Sequence, residues 1–126
     1  LSTTHKLTYS ISSDSGGTPL SGIQSEVGAT EISFDQNYGA SLSGQLLAVA
    51  FTVASVQDVF LLSDKGLTIQ TNSASSPVNT INLKPGTPLV WSKSAGYYAD
   101  VFTADVTAFY ITTTLAARLQ GKILTT

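Results

Sequence analysis

The chain has 126 residues, no cysteine, 11% charged residues and a formal net charge of −2. This length buries a hydrophobic core without staples, and the missing thiols exclude a disulfide framework or a thiolate metal site. The five lysines are scattered and Arg118 is the single arginine. No basic cluster exists to neutralise phosphates, which argues against nucleic acid as a partner.

The charged fraction falls well below the roughly 25% usual for soluble domains. Serine and threonine take the place of lysine and glutamate, a composition that suits strands and turns. It also weakens the electrostatic defence against association, so much of the surface is expected to be covered by a partner or by further copies of the chain. The longest apolar run, residues 46–53, is too short to span a bilayer. No signal-peptide pattern opens the chain, and its first residue is Leu1 rather than methionine, so residues before Leu1 are left open.

In chain order, residues 1–4 are polar and read as a loose arm. His5, Leu7, Tyr9 and Ile11 then alternate with Lys6, Thr8, Ser10 and Ser12, the two-residue period of a half-buried strand. Asp14-Ser15-Gly16-Gly17-Thr18-Pro19 is a turn cluster, and residues 20–27 read as a short return strand. Thr30, Ile32 and Phe34 alternate with Glu31, Ser33 and Asp35 in a further strand, and residues 35–44 read as loop. Residues 45–53 are nearly all apolar; Val49, Phe51 and Val53 favour a strand buried on both faces over a short helix. Residues 54–57 make one turn.

Residues 59–91 form the organising unit. Val59, Phe60, Leu61 and Leu62 are apolar on both faces and therefore central. Asp64-Lys65-Gly66 turns into a strand over residues 67–71, a polar loop leads to residues 78–83, and Pro85-Gly86 precedes a strand over residues 88–92. Pro-Gly has the residues of a type II turn, which splays its flanking strands, so the strands on either side are expected in different sheets. Residues 93–105 are loop, residues 106–112 a strand, and in the last segment Ala117, Leu119 and Ile123 face inward. Gly121 there marks a bulge or a close approach. About eight or nine short strands at this spacing predict one all-β domain over residues 1–126, an antiparallel two-sheet sandwich of jelly-roll or immunoglobulin-like type.

Chemistry is sparse. His5 is the only histidine and reads as a strand residue with a solvated or hydrogen-bonded ring. Gly39-Ala40-Ser41-Leu42-Ser43-Gly44 misses the nucleophile-elbow spacing by one residue. Glu26, Glu31 and Asp35 read as a solvated face rather than a glycosidase pair. Asp35-Gln36-Asn37-Tyr38-Gly39 has alternate oxygen ligands but lacks the later bidentate glutamate of a calcium loop. No catalytic set, cofactor or metal is expected. Trp91 reads as a core plug and Tyr97 and Tyr98 as loop anchors; an exposed aromatic platform for a sugar or a protein is the competing reading.

The run Phe60-Leu61-Leu62-Ser63-Asp64-Lys65-Gly66-Leu67-Thr68-Ile69-Gln70-Thr71-Asn72-Ser73 carries a family resemblance. So do Ile81-Asn82-Leu83-Lys84-Pro85-Gly86-Thr87-Pro88-Leu89-Val90-Trp91, Tyr97-Tyr98 and Thr107-Ala108-Phe109-Tyr110-Ile111-Thr112. Together they resemble, in texture and segment order, the small β-rich decoration or cement proteins of tailed bacteriophage capsids. The resemblance covers about the C-terminal two-thirds of the chain, without a diagnostic motif. It implies a non-enzymatic virion protein, made in the host cytoplasm, that binds the major capsid protein on the outer shell, commonly as a homotrimer. Leu1, Ser2, Thr3, Thr4, Tyr97, Tyr98 and Phe102 are the expected partner contacts. The alternatives are a carbohydrate- or receptor-binding sandwich of tail-fibre type and a tail-tube or pilus-like subunit.

Overall fold

The computed structural model describes residues 2–95 and 99–126. Ten strands appear in chain order: β1 (Thr3–Ile11), β2 (Leu20–Gly28), β3 (Thr30–Tyr38), β4 (Gln45–Leu47), β5 (Val56–Ser63), β6 (Leu67–Thr71), β7 (Thr80–Leu83), β8 (Leu89–Ser92), β9 (Phe109–Thr112) and β10 (Ala117–Thr125). One short 3-10 helix, Val53–Ser55, precedes β5. Every strand pair is antiparallel.

The body is a two-sheet sandwich with strand orders β3-β10-β5-β8 and β4-β9-β6-β7. The pairs β3–β10, β4–β9, β5–β8 and β6–β7 nest outermost to innermost along the chain. The eight strands are thus one long antiparallel hairpin, folded over so that its strands fall alternately into two sheets. That is the jelly-roll arrangement, and it sets aside the immunoglobulin-like order. The two strands beyond the eight of the body, β1 and β2, form a separate two-stranded ribbon.

The sandwich follows from the alternation. Val59 and Leu61 on β5, Leu119 and Ile123 on β10, Ile69 on β6 and Phe109 and Ile111 on β9 are all fully buried. Four phenylalanines tie the sheets together edge-to-face and stacked: Phe51–Phe102 at 5.0 Å between ring centroids, Phe102–Phe109 at 5.9 Å and Phe34–Phe109 at 6.1 Å. Gly121 on β10 lies under the Phe34 ring, where any Cβ would overlap it and touch Leu61 Cδ2 at 3.0 Å. The predicted close approach is therefore a side chain crossing the strand. β7 and β8, on either side of Pro85-Gly86, lie in different sheets as the turn residues predict.

Three expectations change. Residues 45–53 are not one buried strand: β4 ends at Leu47, and Phe51 pairs with Val106 through an isolated bridge. The segment must carry the chain from one sheet to the other, and a straight strand cannot do that. Residues 35–38 are strand rather than loop, because β10 supplies a full ladder opposite them. The strand expected over residues 106–112 shrinks to β9. Its first half is held instead by Asn72, which adopts φ 69°, donates to the Asp105 carbonyl (2.9 Å) and accepts from the Thr107 N–H (2.8 Å).

Candidate interaction surface

The β1–β2 ribbon crosses the outer face of the β3-β10-β5-β8 sheet. Glu31, Leu124, Asp58 and Ser92 are cross-strand partners on that face, so they form one row across all four strands. The ribbon's root covers this row. Leu124 is fully buried, Asp58 is 1% exposed and Ser92 4%. Gly28 sits against Leu124 and Thr125 so closely that a Cβ would lie 2.7 Å from Leu124 Cγ. The next row, Ser33, Lys122 and Phe60, is exposed, with Val90 half-buried.

The root is held by charge. His5 on β1 reaches Asp58 through Nδ1 (2.8 and 2.9 Å to the two carboxylate oxygens) and Glu31 through Nε2 (2.8 Å). Glu31 also accepts from Lys122 Nζ at 2.8 Å. Opposite His5 in the ribbon, Glu26 accepts from the hydroxyls of Ser92 and Ser94 and from the Ser94 N–H at 3.2 Å. Gln24 then donates to Ser94 Oγ at 2.8 Å. The contacts run from β3 across to β8 and just past it, so the ribbon continues beyond the sheet edge.

These contacts shift the titrating groups. Burial opposes protonation of His5, but its bonds to Glu31 and Asp58 and their charges outweigh burial and raise its pKa above 6.5. Lys122, with His5, holds the Glu31 carboxyl below the usual range. Burial pushes Asp58 up despite His5. Glu26 is desolvated, yet its serine donors bring it down.

Past the root, residues 8–23 are exposed throughout. Tyr9 and Ile11 share one face with Leu20, the cross-strand partner of Ile11, and Ile23 lies on the other face. Ile11 is 67% exposed, Leu20 70% and Ile23 70%. An isolated two-stranded ribbon is marginal in water, and Ile11 and Leu20 stand side by side on this one in solvent.

The expected site residues fare differently. Leu1, Tyr97 and Tyr98 lie outside the described residues. Ser2 is exposed ahead of β1, whereas Thr3 and Thr4 pair with Gly28 and Val27, so these two belong to the ribbon rather than to a loose arm. Phe102 is corrected from partner contact to core: it is 3% exposed and stacks on Phe109. Glu26 is likewise no part of a solvated face. Asp35 and Asn37 lie in extended β3, and Asp35 is paired with Arg118 at 2.8 and 2.5 Å. The run from Asp35 is therefore strand rather than a cation loop.

The arm was missed because its signal is ambiguous. An alternating strand reads as half-buried whether its apolar face meets the chain's own core or something else. The turn cluster between two such strands announced a hairpin but not where it would point.

Trp91 faces the core side of edge strand β8 and lines a cleft of about 420 Å³ with Val53, Val56, Lys93, Asp100 and Thr103. Among the described residues, no group of three or more His, Cys, Asp or Glu side chains is placed to hold a metal ion. No protein-family model, curated protein or solved structure matches the chain.

Proposed function

We propose that this chain is a non-enzymatic structural protein of a phage particle, a cement protein that binds the outer surface of the shell and ties neighbouring major capsid subunits together. The observation that carries the reading is the projecting ribbon with Ile11, Leu20 and Ile23 in solvent. Fully burying one such side chain contributes about 1.5–3 kcal/mol. Ile11 and Leu20 share one face and together make a modest contact, which many copies on a repeating lattice would strengthen through avidity. The sparse charge and the jelly-roll body, an architecture that recurs in viral capsid proteins, support the same reading without specifying it.

The test is co-sedimentation with shells stripped of decoration. Ile11→Ser, Leu20→Ser and Ile23→Ser combined should reduce binding by about 100-fold, the equivalent of ~3 kcal/mol. Unchanged binding removes the ribbon from the interface. Light scattering across a dilution series gives the stoichiometry, and a stable trimer supports seating at three-fold positions.

The Trp91 cleft favours a second reading, a carbohydrate-binding module. Jelly rolls also serve as lectin domains, and an aromatic ring beside Lys93, Asp100 and Thr103 offers a stacking face together with polar donors and acceptors. A glycan screen in which binding disappears in Trp91→Ala would establish it.

A further inference from the structure

The ribbon's root is held by Glu26 and Gln24 as well as by His5, and the His5 contact is an ion that the body does not need for its own core. His5 places both ring nitrogens within hydrogen-bond distance of carboxylate oxygens. Ionised carboxylates only accept, so a ring engaged at both nitrogens must donate at both, which the neutral imidazole cannot do. The arrangement therefore describes an imidazolium bridging β5 and β3.

The groups around it do not substitute for that charge. Lys122 on β10 is committed to Glu31. Glu26, on β2, repels Asp58, and Lys93 acts on Glu26. Asp58, at 1% exposure, otherwise has the Leu124 N–H from β10. A neutral His5 would leave a buried carboxylate between two others, with a lone pair facing one of them. An uncompensated buried charge is strongly unfavourable. Here the strain has an inexpensive outlet, because covering the row is what buries Asp58, and uncovering it restores water.

We propose that His5 is a proton-operated latch: the imidazolium holds the ribbon's root across the sheet, and loss of its proton frees the ribbon to lift and pivot about the Gly28–Ala29 link to β3. The ribbon is joined to β3 through Ala29 alone, whose N–H donates to the Thr125 carbonyl at 2.8 Å. The sandwich beneath keeps its own ladders and core when the root lifts. The ribbon's reach and the direction of its apolar face thus depend on protonation at one ring.

The sign follows from the direction of each shift. His5 has a raised pKa in the docked state, so its contribution is fully present below about 6.5 and is lost as pH rises through the docked-state value. Acid closes the window from the other side. Burial raises Asp58 in the docked state, so its protonation favours docking. The acid limit comes instead from Glu31, held low by Lys122 and His5, and from Glu26, held low by its serine donors; their contributions are lost as pH falls through their docked values. The latch is therefore strongest in mildly acidic solution.

The chain has no cysteine and a single histidine, which makes the experiment direct. Spin labels on Ser13→Cys, in the ribbon's turn, and Thr114→Cys, on the body, report the arm-to-body distance over a pH series. The ring resonances of His5 report its protonation in the same samples. The expected result is one narrow distance distribution that broadens as pH rises, with the midpoint tracking the His5 titration. The docked-to-released ratio should fall about tenfold for each pH unit between His5's docked and released pKa values. His5→Gln, which has no charge to lose, should give the broad distribution at every pH, with β9 and β10 amides still protected. A distribution that stays narrow while His5 titrates overturns the proposal, and so does a His5 pKa at or below 6.5. Should His5→Gln fail to fold, the unsubstituted His5 series decides alone.

Discussion

The sandwich and the ribbon are built from similar alternating strands, yet they are held by opposite means. In the body, apolar faces from two sheets meet around Phe109, Leu61 and Ile69, and charges stay at the margin. In the ribbon the apolar side chains stand in solvent, and the contact with the body is made by His5, Glu26, Gln24 and their polar partners. The difference teaches where each part's stability comes from. Removing apolar area from water is insensitive to pH and holds the body together. The hydrogen-bonded charges at the root fix an orientation but depend on protonation, and a buried ion pair gives little net stability in exchange for that control.

Substitutions should separate the two regions. The largest effect is expected from Phe109→Ala, which empties the centre of the aromatic cluster. It should cost about 3–5 kcal/mol in denaturant unfolding, with the ribbon unfolding alongside the body it rests on. A smaller loss, about 1–3 kcal/mol, is expected for Gly121→Ala, because the Phe34 ring must move to admit a methyl group. A loss well below 1 kcal/mol would mean that the Phe34 ring yields freely. At the other extreme, Ile11→Ser with Leu20→Ser should change the midpoint of the isolated chain by no more than about 0.5 kcal/mol, although both residues are apolar. A loss comparable to that of Gly121→Ala would show that this pair is already buried in solution, against another copy.

Much of the body was legible in residue order. Leu67 to Thr71 forms the expected strand, and the inward set Ala117, Leu119 and Ile123 lies in the core. These features depend on a period of two and on turn chemistry, both of which are local. The site was less legible. His5 was recognisable as a strand residue, but whether its ring was solvated or hydrogen-bonded stayed open, because its partner Asp58 is 53 residues away and Glu31 is 26 away. Glu26 looked like one more surface acid, and nothing near it in sequence announces Ser92 and Ser94. Phe102 looked available because it falls in residues 93–105, which read as an exposed loop; its burial comes from Phe51 and Phe109, which arrive from elsewhere in the chain.

By itself, the sequence determined that this protein is all-β, that its strands alternate into a core, and that Pro85-Gly86 separates strands of different sheets. Those outcomes follow from side-chain period and backbone dihedral preference, which act over a few residues. Only the tertiary structure decided that the eight body strands nest as a folded hairpin and that the first two stand apart from them. It also decided that an outer row of one sheet would bury Asp58 beneath His5. Pairing between distant strands is chosen by the total area and charge that the whole arrangement satisfies, and no local pattern records that sum.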